Sequence, residues 1–111
     1  MMDGMQPIEN WLNICALEEI PVRGARRFQS AIGEIAVFRT STQDVYAIDN
    51  RCPHKNGPLS EGIVHDTGVT CPLHSLVIDL VTGEARGADT GCVKTYPVKV
   101  TDGRVLVSVA R

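Results

Sequence analysis

The chain has no block of basic residues. Its eleven lysines and arginines are scattered among thirteen aspartates and glutamates, for a formal net charge of −2. A phosphate backbone would meet no concentrated positive face, so nucleic acid is excluded as a partner. Long apolar runs are absent too, and none approaches the roughly 20 residues that a membrane helix needs. The opening Met1-Met2-Asp3-Gly4-Met5-Gln6-Pro7 lacks a positive n-region and an apolar h-region, so no secretory leader is signalled and a cytoplasmic location is expected. Aromatic residues are only 5% of the chain; Trp11, Phe28, Phe38, Tyr46 and Tyr96 are read as core or edge packing, not as an aromatic site. No Ser-His-Asp set, phosphate-binding loop, paired-carboxylate pocket, internal repeat or low-complexity tract is found. A length of 111 residues leaves room for one domain and none for a separate catalytic one. The expected division is a flexible stretch over 1–9 and a single domain over 10–111.

What is present is a series of short apolar or alternating runs rich in β-branched residues: Trp11 to Cys15, Glu34 to Arg39, Val45 to Ile48, Leu76 to Val81, Val93 to Val100 and Arg104 to Val109. Each has the length of a strand. Turn signals separate them at Gly33, Ser41 to Asp44, Asp66-Thr67-Gly68, Thr82-Gly83 and Asp102-Gly103, the last as a tight hairpin. The best helical stretch, Ala16 to Ile20, is cut off by Pro21. The pattern predicts an all-β, antiparallel sandwich or barrel. Residues 49–62 and 70–76, dense in proline, glycine, cysteine and histidine, are expected to project from it as loops.

Both loops carry the same pair of residue types. The first reads Cys52-Pro53-His54 and the second Cys71-Pro72-Leu73-His74, with sixteen residues between His54 and Cys71. Each proline fixes φ and removes a donor, so the pair sits on stiffened backbone. Two thiolates and two neutral imidazoles suit a [2Fe-2S] centre, because two thiolates cancel the double positive charge of two ferric ions and two sulfides. Reduction then creates one negative charge, whereas with four thiolates the electron would enter a centre already two charges more negative. Hence such centres lie at roughly −150 to +300 mV, against about −400 mV for four-thiolate plant-type ferredoxins. A structural zinc ion on the same four residues is the alternative, although zinc modules space their ligands as roughly C-x₂₋₄-C and H-x₃₋₅-H. A vestigial, metal-free site is the third possibility. Cys15 and Cys92 are read as small buried hydrophobes outside the ligand set, and His65 as the solvated tip of a hairpin.

With this ligand pattern the chain resembles a Rieske iron-sulfur domain over nearly its whole length, from Trp11 to Val109. The resemblance implies an antiparallel β-sandwich with a small cluster-binding subdomain carrying the two loops, and one [2Fe-2S] cluster held by Cys52, His54, Cys71 and His74. Cys52 and Cys71 would hold one iron, His54 and His74 the other. The histidine side would lie nearest solvent, ringed by Lys55, Asn56, Leu59 and Ser60 as a docking rim. High-potential Rieske proteins carry two further cysteines where this chain has Gly57 and Leu73, and a serine where it has Leu76. No disulfide clamp can form, and a midpoint in the lower half of the Rieske range is expected.

Two runs, Val77-Ile78-Asp79-Leu80-Val81-Thr82-Gly83-Glu84-Ala85 and Gly87 to Val98, resemble the small subunit of the assimilatory NAD(P)H-dependent nitrite reductase. So do Trp11 to Cys15 and Leu17 to Pro21. That resemblance implies an accessory electron-transfer subunit, with no active site of its own. Its partner would be a large subunit bearing FAD, an iron-sulfur cluster and sirohaem that reduces nitrite to ammonium in nitrate assimilation. The alternative is the ferredoxin of a ring-hydroxylating dioxygenase, which has similar size, the same ligands and no disulfide.

Overall fold

Ile35, Ala36, Val37 and Phe38 follow one another without a polar break, a pattern that a strand adopts when both its faces are covered. The computed structural model, which describes residues 11–30, 33–41, 44–51, 58–71, 76–86 and 91–108, places this run at the centre of the molecule. Ten strands are described: β1 (Trp11–Ala16), β2 (Gly24–Ser30), β3 (Gly33–Arg39), β4 (Val45–Asp49), β5 (Ile63–His65), β6 (Gly68–Thr70), β7 (Val77–Asp79), β8 (Thr95–Tyr96), β9 (Val98–Thr101) and β10 (Arg104–Ser108). They form three antiparallel sheets, ordered β1-β10-β9, β2-β3-β4-β8 and β5-β6-β7.

The four-stranded sheet separates two apolar interiors. Ile35 and Val37 of β3 and Ala47 of β4 pack with Cys15, Ile20, Tyr96, Val105 and Val107. On the opposite face Ala36, Phe38 and Ile48 pack with Leu59, Val64, Val69, Cys71, Leu76, Ile78 and Leu80. The period of two along β3 divides its side chains between these interiors. The cysteine- and histidine-rich segments leave and enter on the second side.

The all-β antiparallel expectation holds, with local differences. Ala16 to Ile20 contributes only a single 3-10 turn, Leu17–Glu19, and no α-helix occurs among the described residues. The run Val93 to Val100 is not one strand: Thr95–Tyr96 pairs with β4, and Val98–Thr101 pairs with β10. The break falls at Pro97, which has no N–H for a ladder. Its carbonyl instead accepts a hydrogen bond from Ser108 N–H at 2.9 Å. Of Leu76 to Val81 only Val77–Asp79 is strand. Leu80 to Thr82 turn away because Asp79 Oδ1 accepts the N–H groups of Val81 and Thr82 at 2.8 and 3.1 Å. Three strands lie outside the expected set. β2 escapes notice because it is an edge strand whose Arg26, Arg27 and Gln29 face solvent; β5 and β6 are three residues each, too short to show a period. The Asp102-Gly103 hairpin is as expected, with φ of 52° and 75° at its two central residues and hence a type I′ turn.

Candidate cluster-binding site

The first cysteine-histidine segment is held at both feet by one side chain. Asn50, only 6% exposed, follows directly on β4. Its Oδ1 accepts the N–H of Ser60 at 2.7 Å, while its Nδ2 donates to Ser60 Oγ at 2.9 Å and to Glu34 Oε1 at 3.0 Å. Its own N–H donates to the Glu34 carbonyl at 2.9 Å. A buried carboxamide needs such partners, since an unmade hydrogen bond in the interior costs about 1 to 3 kcal/mol. The result is a bridge from residue 50 to residue 60 across the segment that holds Cys52 and His54. On the far side Leu59–Glu61 forms a 3-10 turn whose Leu59 is fully buried against the Phe38 side of the sheet.

The second segment is closed in a different way. β6 and β7 pair in register up to Thr70 and Val77, and Cys71 N–H then donates to the Leu76 carbonyl at 2.7 Å. Cys71 is 2% exposed and Leu76 1%, both within the apolar interior shared with Leu59. The feet of the two segments therefore stand on one piece of core. They also touch directly. At Gly62 the backbone lies so close to the Thr70 carbonyl that an added Cβ would overlap that oxygen, and it would lie 3.0 Å from Val69 Cγ2. Only glycine fits there.

Surrounding groups brace this end of the molecule. Tyr96 donates its hydroxyl to Asp49 Oδ1 at 2.5 Å, just before Asn50. Burial pushes the Tyr96 phenol well above its ordinary value, and the Asp49 carboxylate that accepts its proton pushes it further. His65 Nε2 and Thr70 Oγ1 lie 2.7 Å apart in hydrogen-bond contact. Beyond them, Arg86 bonds Thr67 Oγ1 at 3.1 Å and Asp79 Oδ2 at 3.3 Å. Burial pushes the Asp79 carboxyl up, but the N–H groups of Thr82 and Val81 and the Arg86 guanidinium outweigh it, leaving it below the usual carboxylate range.

Of the residues singled out in the sequence, Cys71 is described and the other three of its set are not: Cys52, His54 and His74 lie outside the described residues, as do Lys55, Asn56, Gly57, Leu73, Ser75 and the stretch 1–9. The donor chemistry and the geometry of the feet fit a cluster bridging the two segments, because one thiol already stands at the wall of the core and the segments are fixed to each other beneath it. Leu76 is packed in that core and presents no hydroxyl. Leu59 does not ring an exposed rim as expected; its apolar side chain is drawn fully into the core. Ser60 is half-buried and occupied by Asn50. His65 is on the end of β5, about one-third exposed at its side chain, so it is not a fully solvated tip. Cys15 is buried, and burial pushes its thiol up, away from reactivity. Cys92 is exposed instead of buried, because it sits in an isolated bridge to Glu84 outside any ladder. The bracing roles of Asn50 and Gly62 are not legible from ligand spacing; the signal available is an Asn directly after a strand and a Ser ten residues on.

A fold of three antiparallel sheets presenting two Cys-His segments is that of a Rieske domain. The chain belongs to this family: a model of the Rieske-like [2Fe-2S] domain matches residues 10–108. It is an electron-transfer protein with one [2Fe-2S] cluster of the Rieske type. It is 40% identical over 101 residues to the 3-phenylpropionate/cinnamic acid dioxygenase ferredoxin subunit of Photorhabdus laumondii, covering 89% of this chain and 94% of the relative. It is 34% identical to the ferredoxin component of the naphthalene 1,2-dioxygenase system of Pseudomonas aeruginosa, covering 92% and 98%. Among solved structures it is similar to the putative NADH-dependent nitrite reductase small subunit of Mycobacterium tuberculosis, with a TM-score of 0.86, 26% identity and coverage of 95% and 99%.

Proposed function

We propose that this chain is the Rieske ferredoxin of a ring-hydroxylating dioxygenase, a cytoplasmic single-domain shuttle that takes one electron at a time from a reductase and delivers it to an oxygenase. The observation that carries this reading is sequence identity of 40% and 34%, over about nine-tenths of both chains, to ferredoxins of two aromatic-ring dioxygenases. Cys52, His54, Cys71 and His74 would hold the cluster, the two cysteines on one iron and the two histidines on the other. The cluster would supply a site that gains and loses a single electron; the protein around it keeps Cys71 at the wall of the apolar core. The absence of a hydroxyl at Leu76 supports a midpoint in the lower half of the Rieske range, since hydrogen bonds to sulfur stabilise the reduced state.

The second reading is the small subunit of an assimilatory NAD(P)H-dependent nitrite reductase, whose large subunit bears FAD, an iron-sulfur cluster and sirohaem. It is favoured by the TM-score of 0.86 to such a small subunit and by the run Gly87 to Val98. We rank it second because identity along the whole chain weighs more than one stretch and a fold likeness at 26% identity. Purification of the tagged chain from its native cell distinguishes the two. Recovery of an aromatic-ring oxygenase, with catalytic reduction of that oxygenase by the reduced chain, supports the first; recovery of a sirohaem protein instead refutes it.

A further inference from the structure

We propose that Asn50 is a positioning residue for the cluster, a clamp whose carboxamide ties residue 50 to residue 60 on either side of the first ligand segment. This rests on the assignment of Cys52 and His54 as ligands. Asn50 stands two residues before Cys52, and Ser60 stands six after His54, so the Asn50–Ser60 bridge spans both. Three features on the described residues make it a clamp and not a chance contact. The side chain is buried. Both of its amide hydrogens and its oxygen are used, on three different acceptor and donor groups. One of those groups, Glu34, belongs to the central strand, so the clamp anchors the segment to the most buried element of the fold.

The arrangement also explains why the residue is a carboxamide. A carboxylate of the same shape could still accept from Ser60 N–H. It would, however, bring an oxygen where Nδ2 now lies, 3.0 Å from Glu34 Oε1, and two carboxylates would face each other in a half-buried site. The polarity can be reversed as a whole. With Asn50→Asp and Glu34→Gln together, the new amide on β3 donates to the new carboxylate, Ser60 donates its hydroxyl to it, and the summed charge of the two positions is unchanged.

The test uses the holo-protein. Release of iron to a ferrous chelator from the reduced chain, and the EPR g values of the reduced cluster, are measured for the native chain, Asn50→Asp, the double variant and Val107→Ala. Val107 lies in the other interior and serves as a control for lost stability alone. Asn50→Asp is expected to release iron about tenfold faster, the factor that one hydrogen bond to a charged group is worth, with shifted g values. The double variant is expected to return to within about threefold of the native rate, and Val107→Ala to keep native g values. Native release and g values in Asn50→Asp overturn the clamp, as does a double variant no better than Asn50→Asp. If Asn50→Asp does not fold, the double variant and Ser60→Ala, which removes only the Oγ partner, carry the same comparison. A Cys52→Ala chain that keeps its iron and sulfide instead overturns the ligand assignment, and the clamp with it.

Discussion

Replacing Gly62 with alanine isolates the contact that joins the two ligand segments. Gly62 has φ of −82° and ψ of −178°, extended backbone that alanine adopts freely. The substitution therefore carries no conformational penalty, and by narrowing the unfolded ensemble it would by itself stabilise the chain by about 0.4 to 1 kcal/mol. Against this stands the new methyl, which would overlap the Thr70 carbonyl oxygen and lie 3.0 Å from Val69 Cγ2 and 3.1 Å from the Leu59 carbonyl. Two of those three atoms are backbone and cannot swing aside, so relief requires the feet of the segments to separate. Overpacking of this kind costs about 1 to 3 kcal/mol. The steric effect wins, for a net loss of about 1 to 2 kcal/mol after the entropic gain, which in a domain of this size lowers the unfolding midpoint by about 4 to 8 °C per kcal/mol. The assay is thermal unfolding of the holo-protein together with EPR of the reduced cluster. Gly103→Ala is the comparison. Gly103 has φ of 75° and nothing within 4 Å of an added Cβ, so it costs about 1 kcal/mol through left-handed backbone alone and leaves the cluster spectrum unchanged. A Gly62→Ala protein with native midpoint and spectrum would refute the joined-feet arrangement.

Three other outcomes are expected. Tyr96→Phe removes the hydroxyl from Asp49 and lowers stability by about 1 to 2 kcal/mol at neutral pH, as measured by urea unfolding. Because the folded Tyr96 phenol titrates above the unfolded value near 10, its contribution is complete below that pH and is lost as pH rises, so wild type and Tyr96→Phe converge in alkali; a gap that widens there contradicts the hydrogen bond. Asp79→Asn costs about 1 kcal/mol at neutral pH; since the folded carboxyl is depressed, the difference is present above about pH 4 and fades as pH falls through the folded value, which acid unfolding curves of both proteins would reveal. Redox titration should place the midpoint in the lower half of the roughly −150 to +300 mV Rieske range, and a value near the top would mean that a hydrogen-bond donor replaces the missing hydroxyl.

The features legible in the sequence are those written in local chemistry. Glu34 to Arg39 announce a strand, and Asp102-Gly103 announces a tight hairpin, because each pattern has one economical physical solution. The pairing of Cys with His at short offsets, twice, pointed to the cofactor class. What could not be read depends on distant neighbours. Ile63 to His65 and Gly68 to Thr70 become strands only because they find each other and β7. Leu59, beside a polar loop in sequence, is drawn into the core by Phe38 and Leu76, residues far away along the chain. Asn50 looks like an ordinary turn residue until Ser60 and Glu34 are seen around it. The choice of redox partner was ordered one way by the texture of Gly87 to Val98 and the other way by identity along the whole chain, since a shared fold does not fix a partner.

The central strand β3 has a consequence for how the chain reaches its structure. A strand with one wet face is held in register by polarity, because a slip of one position would turn its greasy side chains to water. β3 lacks that safeguard: shifted by one residue, it would still offer oil to oil. Its alignment must come from its ends, where Glu34 is tied to Asn50 and Arg39 donates to the Ile20 carbonyl at 2.9 Å, and from its neighbours on either flank. Loss of either anchor would leave this one ribbon free to misalign.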